Sequence, residues 1–255
     1  MDANPWGPIG AQLIQLSRDL GAEHRDLAIL GEGNTSARLG AERFLVKASG
    51  SHLGTLTEGD LVECRFAPLL ELMERSGVTD ADVDAALMDC RVESAAKRPS
   101  VEALFHAYLL SLPGIQFVGH THPVAVNAIL CSGRAAEFAG RRIFPDEIVC
   151  CGPESVLVPY SDPGVWLAQA MRDGVESHRT RHGGVPRVIL LKNHGLVSLG
   201  ASVPSVWAGT TMAVKAARIF AGSCALGGPD FLEAGVVDRI LNRSDEHYRQ
   251  RALRL

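Results

Sequence analysis

The spacing of apolar residues changes along this chain, and the changes predict the order of its helices and strands. Near the N terminus, Leu13, Leu16 and Leu20 lie close to one helical stripe, which predicts a helix over residues 9–20 that ends at Gly21. Apolar alternation over residues 44–46 and the apolar pair at 61–62 predict two strands around a bend at residues 49–51. Residues 67–97 are helix-prone and acidic, which indicates a solvated insertion covering one face.

The second half of the chain alternates short apolar runs with turn residues. A helix capped by Ser100 is predicted to end at Pro113 and Gly114, and a strand follows at residues 115–118. Further strands are predicted within residues 141–152 and at 155–159, then an amphipathic helix over 163–177 and a basic loop over 179–184. Residues 188–200 predict a hairpin, 205–226 a long helix and 236–255 a final helix.

Composition narrows the class of protein. The 255 residues are 46% hydrophobic and 21% charged, which is enough for one sizeable core and predicts a single domain over residues 1–255. The net charge of −4 argues against a nucleic-acid or acidic-membrane partner. The first ten residues lack an apolar signal core, no run reaches the length of a membrane span, and the six cysteines show no CxxC spacing. We therefore expect a cytoplasmic protein with reduced thiols.

Two histidines stand at the end of the strand predicted at residues 115–118. Because side chains alternate faces along a strand, His120 and His122 point the same way. His194 is offered by the predicted hairpin, beside Gly195, which would permit a tight turn. Three neutral imidazoles leave one position of a tetrahedral zinc ion open, which is typical of a catalytic site. The alternative is that these are core histidines with satisfied hydrogen bonds.

A glycine-rich loop at residues 31–36 offers backbone N–H groups and short polar side chains, which suit a phosphate or carboxylate. A dinucleotide site is disfavoured because Ser36 replaces the third glycine and a strand, not a helix, follows. A hairpin without a ligand is the alternative. The bend at residues 49–51 could face the same cleft or be turn chemistry alone.

Glu102 lies in the first turn of the helix that leads into the histidine strand. An acidic residue there can simply complement the helix dipole. It can also share a cleft with the strand end. The sequence leaves both interpretations open.

Taken together, the segments GEGNTSAR, KASG, RPSVE with its later histidine, GHTHP and KNHGLVSLG resemble the class II aldolase and adducin family over most of the chain. The resemblance implies an α/β fold, a three-layer α/β/α sandwich with a predominantly antiparallel central sheet, assembled as a homotetramer with active sites at subunit interfaces. It matches the metal ligands to His120, His122 and His194. It matches an acid/base glutamate to Glu102 and phosphate-cradling positions to Asn34, Ser49, Gly50 and Ser100.

Two positions depart from the family pattern. Val101 stands where a second serine is expected beside Ser100, which removes one hydroxyl from the phosphate pocket. The tyrosine that fuculose-type members use near the aldehyde is replaced in the segment FPDE, where we match Asp146.

The resemblance implies a zinc-dependent aldolase that cleaves a sugar phosphate or related hydroxy-ketone through a zinc-stabilised enediolate; another divalent ion such as Mn²⁺ would also serve. Glu102, with a raised pKa, would move the proton, and Asp146 or a residue of a neighbouring subunit would protonate the leaving oxygen. The runner-up is a decarboxylase of a phosphorylated 3-keto sugar acid, and epimerases and dehydratases share the chemistry. A hypothesis of another class is a non-catalytic, adducin-like interaction module.

Overall fold

One seven-stranded sheet forms the centre of the molecule in the computed structural model, which describes residues 5–253. Its strands in chain order are β1 Asn34–Arg38, β2 Arg43–Lys47, β3 Leu61–Arg65, β4 Phe117–Thr121, β5 Val156–Val158, β6 Val188–Leu191 and β7 Gly195–Gly200. The order across the sheet is β3-β2-β1-β4-β7-β6-β5. All neighbouring strands are antiparallel except the parallel pair β5 and β6, which confirms the predicted sheet type.

Helices cover both faces of this sheet. They are α1 Gly7–Leu20, α2 Phe66–Met73, α3 Asp80–Asp89, α4 Ala103–Ser111, α5 Val124–Leu130, α6 Ala135–Gly140, α7 Pro145–Cys151, α8 Val165–His182, α9 Val203–Cys224, α10 Ala234–Leu241 and α11 Ser244–Leu253. Helices α2, α3, α4 and α8 share one apolar core with the sheet, and α1, α5, α6, α7, α9 and α10 share the other. The three-layer prediction is therefore confirmed.

Alternation along the central strands feeds both cores. In β4, Phe117 packs into the core beneath α1 and α9, whereas Val118 packs into the core beneath α4 and α8. Since successive strand side chains point to opposite faces, His120 lies on the same side as Val118, towards α4. The alternation of side chains along β4 therefore decides that His120 faces α4.

Two predicted elements were wrong. The segment predicted as a strand within residues 141–152 is helix α7, whose first residue is Pro145 and whose first turn carries Asp146 and Glu147. Proline and acidic residues at those positions are helix-start signals that outweigh a short apolar run. The basic loop predicted at 179–184 is mostly helix, because α8 continues to His182 and ends at Gly183 in the left-handed conformation.

The remaining elements lie close to their predicted positions. The insertion at 67–97 forms α2 and α3, and the hairpin at 188–200 forms β6 and β7. The predicted final helix is split into α10 and α11, and its residues 254 and 255 lie outside the described part of the chain. Among the described residues no helix combines the length and apolar character needed to cross a bilayer.

Candidate metal centre

Three histidines converge where the end of β4 meets the start of β7. The two strands are antiparallel neighbours, with Thr121 opposite Leu196, so the C-terminal end of one lies beside the N-terminal end of the other. His120 is in β4, His122 follows it directly, and His194 lies in the turn before β7. One nitrogen from each of the three rings lies within 4.8 Å of the others.

Hydrogen bonds to the backbone fix the orientation of these rings. His120 Nδ1 donates to the carbonyl oxygen of Leu196 at 3.0 Å, because a carbonyl can only accept. Its Nε2 therefore carries the free lone pair and lies 2.9 Å from His122 Nε2. Asn127 Nδ2 donates to the His194 carbonyl at 2.9 Å and anchors the third ring's backbone. Hydrogen bonds to the atoms of a histidine that do not bind the metal are the usual means of orienting it as a ligand.

Gly195 is required for a different reason from the predicted one. The residue of the turn with positive φ is Asn193, at 56°, a conformation that asparagine tolerates. A Cβ on Gly195 would lie 2.6 Å from the Thr121 carbonyl oxygen and 2.7 Å from His122 Cδ2. The absence of a side chain at Gly195 is what lets β7 approach the two histidines of β4.

Glu102 faces the histidines from the residue preceding α4. Its two carboxylate oxygens lie 3.4 Å from His120 Nε2 and 3.2 Å from His194 Nε2, and the side chain is nearly buried. Burial alone would raise the pKa of Glu102, but the neighbouring His120 and His194 and a hydrogen bond from Asn34 lower it overall. A raised pKa, which would suit proton transfer, is therefore not what these neighbours produce, and the hydrogen bond from Asn34 favours the ionised carboxylate whatever the charge of the imidazoles.

A buried hydrogen-bond chain that the sequence interpretation missed positions Glu102. Asn34 lies opposite His120 in the β1–β4 pairing and donates from Nδ2 to Glu102 Oε2 at 2.6 Å. Its Oδ1 accepts from His106 Nε2, and His106 Nδ1 accepts from Ser36 Oγ at 2.5 Å. Burial, followed by the nearby His120, lowers the pKa of His106 to about 3, so this ring is neutral. The spacing of four between Glu102 and His106 on one helix was the available signal.

The predicted phosphate-cradling residues lie together beside the hydrogen-bonded residues Asn34 and Glu102. Ser100 Oγ accepts from Asn34 Nδ2 at 3.3 Å, and the backbone N–H of Ser49 donates to the Arg98 carbonyl at 2.9 Å. Ser49 and Gly50 are exposed at the bend, where Gly50 has a φ of 77°. The structure therefore brings Asn34, Ser100 and the 49–50 bend to one region next to Glu102.

A second missed residue is Lys47, which is 2% exposed beneath the bend. Its Nζ donates to the Ser51 carbonyl at 2.6 Å and to the Ala48 carbonyl at 3.3 Å. Burial lowers the pKa of Lys47, against the opposing effects of Glu102 and Asp60. The lysine of the motif KASG follows an apolar run, which was a signal for burial. Its partners are backbone carbonyls, and a sequence does not reveal those.

Asp146 is not brought to the histidines within one chain. It lies in α7, where its Oδ1 accepts from Arg249 at 2.9 Å and its Oδ2 is 3.8 Å from Lys215 Nζ. The matched role near the aldehyde came from the resemblance at the segment FPDE, and within one chain this carboxylate faces α9 and α11 instead.

The donor set fits a zinc ion. Burial lowers the pKa of His120, and burial with the adjacent His120 and His194 lowers the pKa of His122 to about 4, so both rings are in the neutral form that binds metal. A carboxylate facing three imidazoles completes a nitrogen and oxygen set of the kind zinc prefers. His120, His122 and His194 would hold the ion, and the Glu102 carboxylate lies beside His120 and His194.

Comparison with known proteins finds similar sequences and similar folds. An uncharacterized oxidoreductase named YuxG from Bacillus subtilis is 28% identical over 219 residues; the match covers 83% of this chain but only 29% of that protein. A 3-oxo-tetronate 4-phosphate decarboxylase from Haemophilus influenzae is 26% identical over 210 residues, covering 82% of this chain and 84% of its own. The crystal structure of an L-fuculose-1-phosphate aldolase from Thermus thermophilus superposes with a TM-score of 0.61 at 19% identity, covering 87% and 98% of the two chains.

The family model for the class II aldolase and adducin N-terminal domain matches residues 11–221, which span all three histidines, Glu102 and the strands that hold them. The chain belongs to the class II aldolase and adducin family.

Proposed function

We propose that this protein is a metal-dependent lyase that cleaves a carbon–carbon bond of a sugar phosphate or related hydroxy-ketone in an aldolase reaction. The main support is the position of Glu102, whose carboxylate oxygens lie 3.4 Å from His120 Nε2 and 3.2 Å from His194 Nε2 in the three-imidazole cluster. A non-catalytic module would have no need of an ionised carboxylate held there by Asn34.

A zinc ion at this site would supply a Lewis acid for the negative charge that develops on the substrate oxygens. The residues of the chain do the rest. Glu102, kept ionised by its neighbours, accepts a proton as the carbon–carbon bond breaks and returns it to the carbon that has lost its partner. The bonds from Asn34 and through His106 hold the carboxylate in one orientation, which is what proton transfer at a defined atom requires.

The region beside Glu102 provides for a terminal phosphate. Ser49 and Ser100 offer hydroxyl groups and Gly50 a backbone that an anion can approach closely. Asn34 lies beside them, and its Nδ2 could reach a phosphate only by exchanging its bond to Ser100. Binding a remote phosphate orients the reacting carbons against the metal. We place a group that hydrogen-bonds to the aldehyde oxygen on a neighbouring copy of the chain in a homotetramer, since Asp146 is paired with Arg249 within its own chain.

A panel of substrates tests this proposal. Zinc-loaded protein is incubated with ketose 1-phosphates and with 3-keto acid phosphates, and aldehyde and carbon dioxide are measured separately. We expect aldehyde from a ketose phosphate, lost in Glu102→Gln and kept in Glu93→Gln, an exposed carboxylate outside the site. Failure of every substrate to release either product would contradict the proposal.

A decarboxylase of a phosphorylated 3-keto sugar acid is the second candidate. It is favoured by the Haemophilus influenzae decarboxylase, whose similarity extends over most of both chains. The same cluster would serve, because decarboxylation also leaves negative charge beside a carbonyl. Carbon dioxide without aldehyde in the panel would assign the protein to this reaction.

A further inference from the structure

A second group of metal-binding side chains lies at the opposite edge of the sheet from β3. His178 and His182 are four residues apart in the last turns of α8, so they share one face of the helix. Glu154 precedes the edge strand β5 and reaches the same point. One ligand atom from each of the three lies within 4.8 Å of the others.

The distances suit coordination of one ion. Glu154 Oε1 is 3.1 Å from His182 Nε2 and 3.6 Å from His178 Nδ1. Two atoms bound to one tetrahedral zinc ion at about 2.0–2.1 Å lie about 3.3 Å apart. The two separations from Glu154 Oε1 lie within about 0.3 Å of that value.

His178 supplies an independent indication of a missing ligand. Its side chain is 3% exposed, and its Nδ1 has no hydrogen-bond partner among the described residues, because 3.6 Å to Glu154 is too long for one. Buried polar atoms in folded proteins are almost always satisfied.

Arg181 is the competing cation at this position. Its Nη2 lies 2.7 Å from Glu154 Oε1, although the arginine side chain is more than half exposed. Oε1 is also the oxygen that lies nearest both imidazoles, so a bound metal would take Oε1 and Arg181 would pass to the second oxygen of the carboxylate. Glu154 and His182 also line a cavity of about 380 Å³, from which water can supply a fourth ligand.

We propose that Glu154, His178 and His182 form a second site for a divalent transition-metal ion of the zinc class, which fastens the end of α8 to the edge strand β5. It is separate from the three-histidine centre and independent of the proposed reaction. Two imidazoles and one carboxylate form a donor set that zinc, cobalt and nickel all accept.

The test is a titration of metal-stripped, tag-free protein with Co²⁺, followed by calorimetry and by the visible absorption of tetrahedral cobalt. The wild-type chain is expected to bind two equivalents. His182→Ala and Glu154→Gln are each expected to keep one equivalent and full turnover, and His122→Ala to keep the other equivalent and lose turnover. His182 is exposed, so its removal spares the core, and melting by circular dichroism checks that each variant folds.

Arg181→Gln is the matched control, because it changes the neighbouring residue without removing a ligand and should retain both equivalents. Binding of one equivalent by the wild-type chain, lost in His122→Ala, would overturn the second site. Retention of both equivalents by His182→Ala and Glu154→Gln would overturn it as well. Loss of turnover without loss of the second equivalent concerns the proposed function alone.

Discussion

The two histidine clusters of this chain are built in different ways. The ligands of the three-histidine centre come from β4, the residue after it and the turn before β7. The Leu196 carbonyl accepts a hydrogen bond from the His120 ring, and Asn127 donates one to the His194 carbonyl. The cluster at Glu154 takes both imidazoles from one helical face near solvent, and its carboxylate is shared with Arg181. Catalysis needs ligands and acid/base group fixed to within about 0.5 Å, which only the strand-based centre provides. A helix-borne pair suffices to bind an ion.

Removing a ligand should separate the two clusters most strongly. His120→Ala deletes the most buried imidazole of the strand-based centre, so we expect loss of one metal equivalent and a fall in kcat of at least about 1,000-fold. His182→Ala should leave kcat within about twofold, because its site only binds. Metal content by mass spectrometry and steady-state rates check both. Equal losses of turnover in the two variants would contradict the proposal that only the strand-based centre is catalytic.

Exchanging one carboxylate in each cluster is the next largest test. Glu102→Gln keeps shape and removes the proton acceptor, so kcat should fall by about 100- to 10,000-fold while the metal stays bound. Glu154→Gln is the matched change in the other cluster and should leave turnover intact. Normal turnover by Glu102→Gln would show that another group moves the proton.

A methyl group added at Gly195 should disturb the strand-based centre through packing. Its Cβ would overlap the Thr121 carbonyl and His122, so we expect about 2–3 kcal/mol less stability, typical of overpacking, and at least about tenfold weaker metal binding. Gly183→Ala, at the end of α8, meets no atom within 4 Å but has a φ of 71°, and should cost about 1–2 kcal/mol without a change in turnover. Denaturant melts and metal titrations measure both. An unchanged metal affinity in Gly195→Ala would contradict the close-approach explanation.

The smallest effect is expected at the far end of the hydrogen-bond chain. Ser36→Ala leaves His106 Nδ1 unpaired, so the free energy of unfolding should fall by about 1–2 kcal/mol and kcat by several-fold as Glu102 loses its fixed orientation. Ser198→Ala is a matched control, since Ser198 is equally buried and bonds Thr210 on the other face of the sheet. It should lose similar stability and keep kcat. A fall in kcat of the same size in both variants would indicate that Ser36 acts through stability alone.

Sequence patterns predicted the local parts of this site and only the resemblance predicted how they join. The alternation of β4 placed His120 and His122 on one side, because that depends on neighbouring residues alone. Other features depend on segments that are distant in sequence, which the local spacing of apolar residues does not predict. They are the approach of β7 to β4, the need for glycine at position 195 and the hydrogen-bond partners of Lys47. The strand predicted within residues 141–152 was wrong because a short apolar run does not distinguish a strand from a helix.

Zinc-edge anomalous diffraction from crystals of the metal-loaded protein tests the central claim most directly. We expect a peak about 2.0–2.1 Å from His120 Nε2, His122 Nε2 and His194 Nε2, with Glu102 beside it. A map without density between these three nitrogens, or with His194 turned away from the other two, would contradict the account.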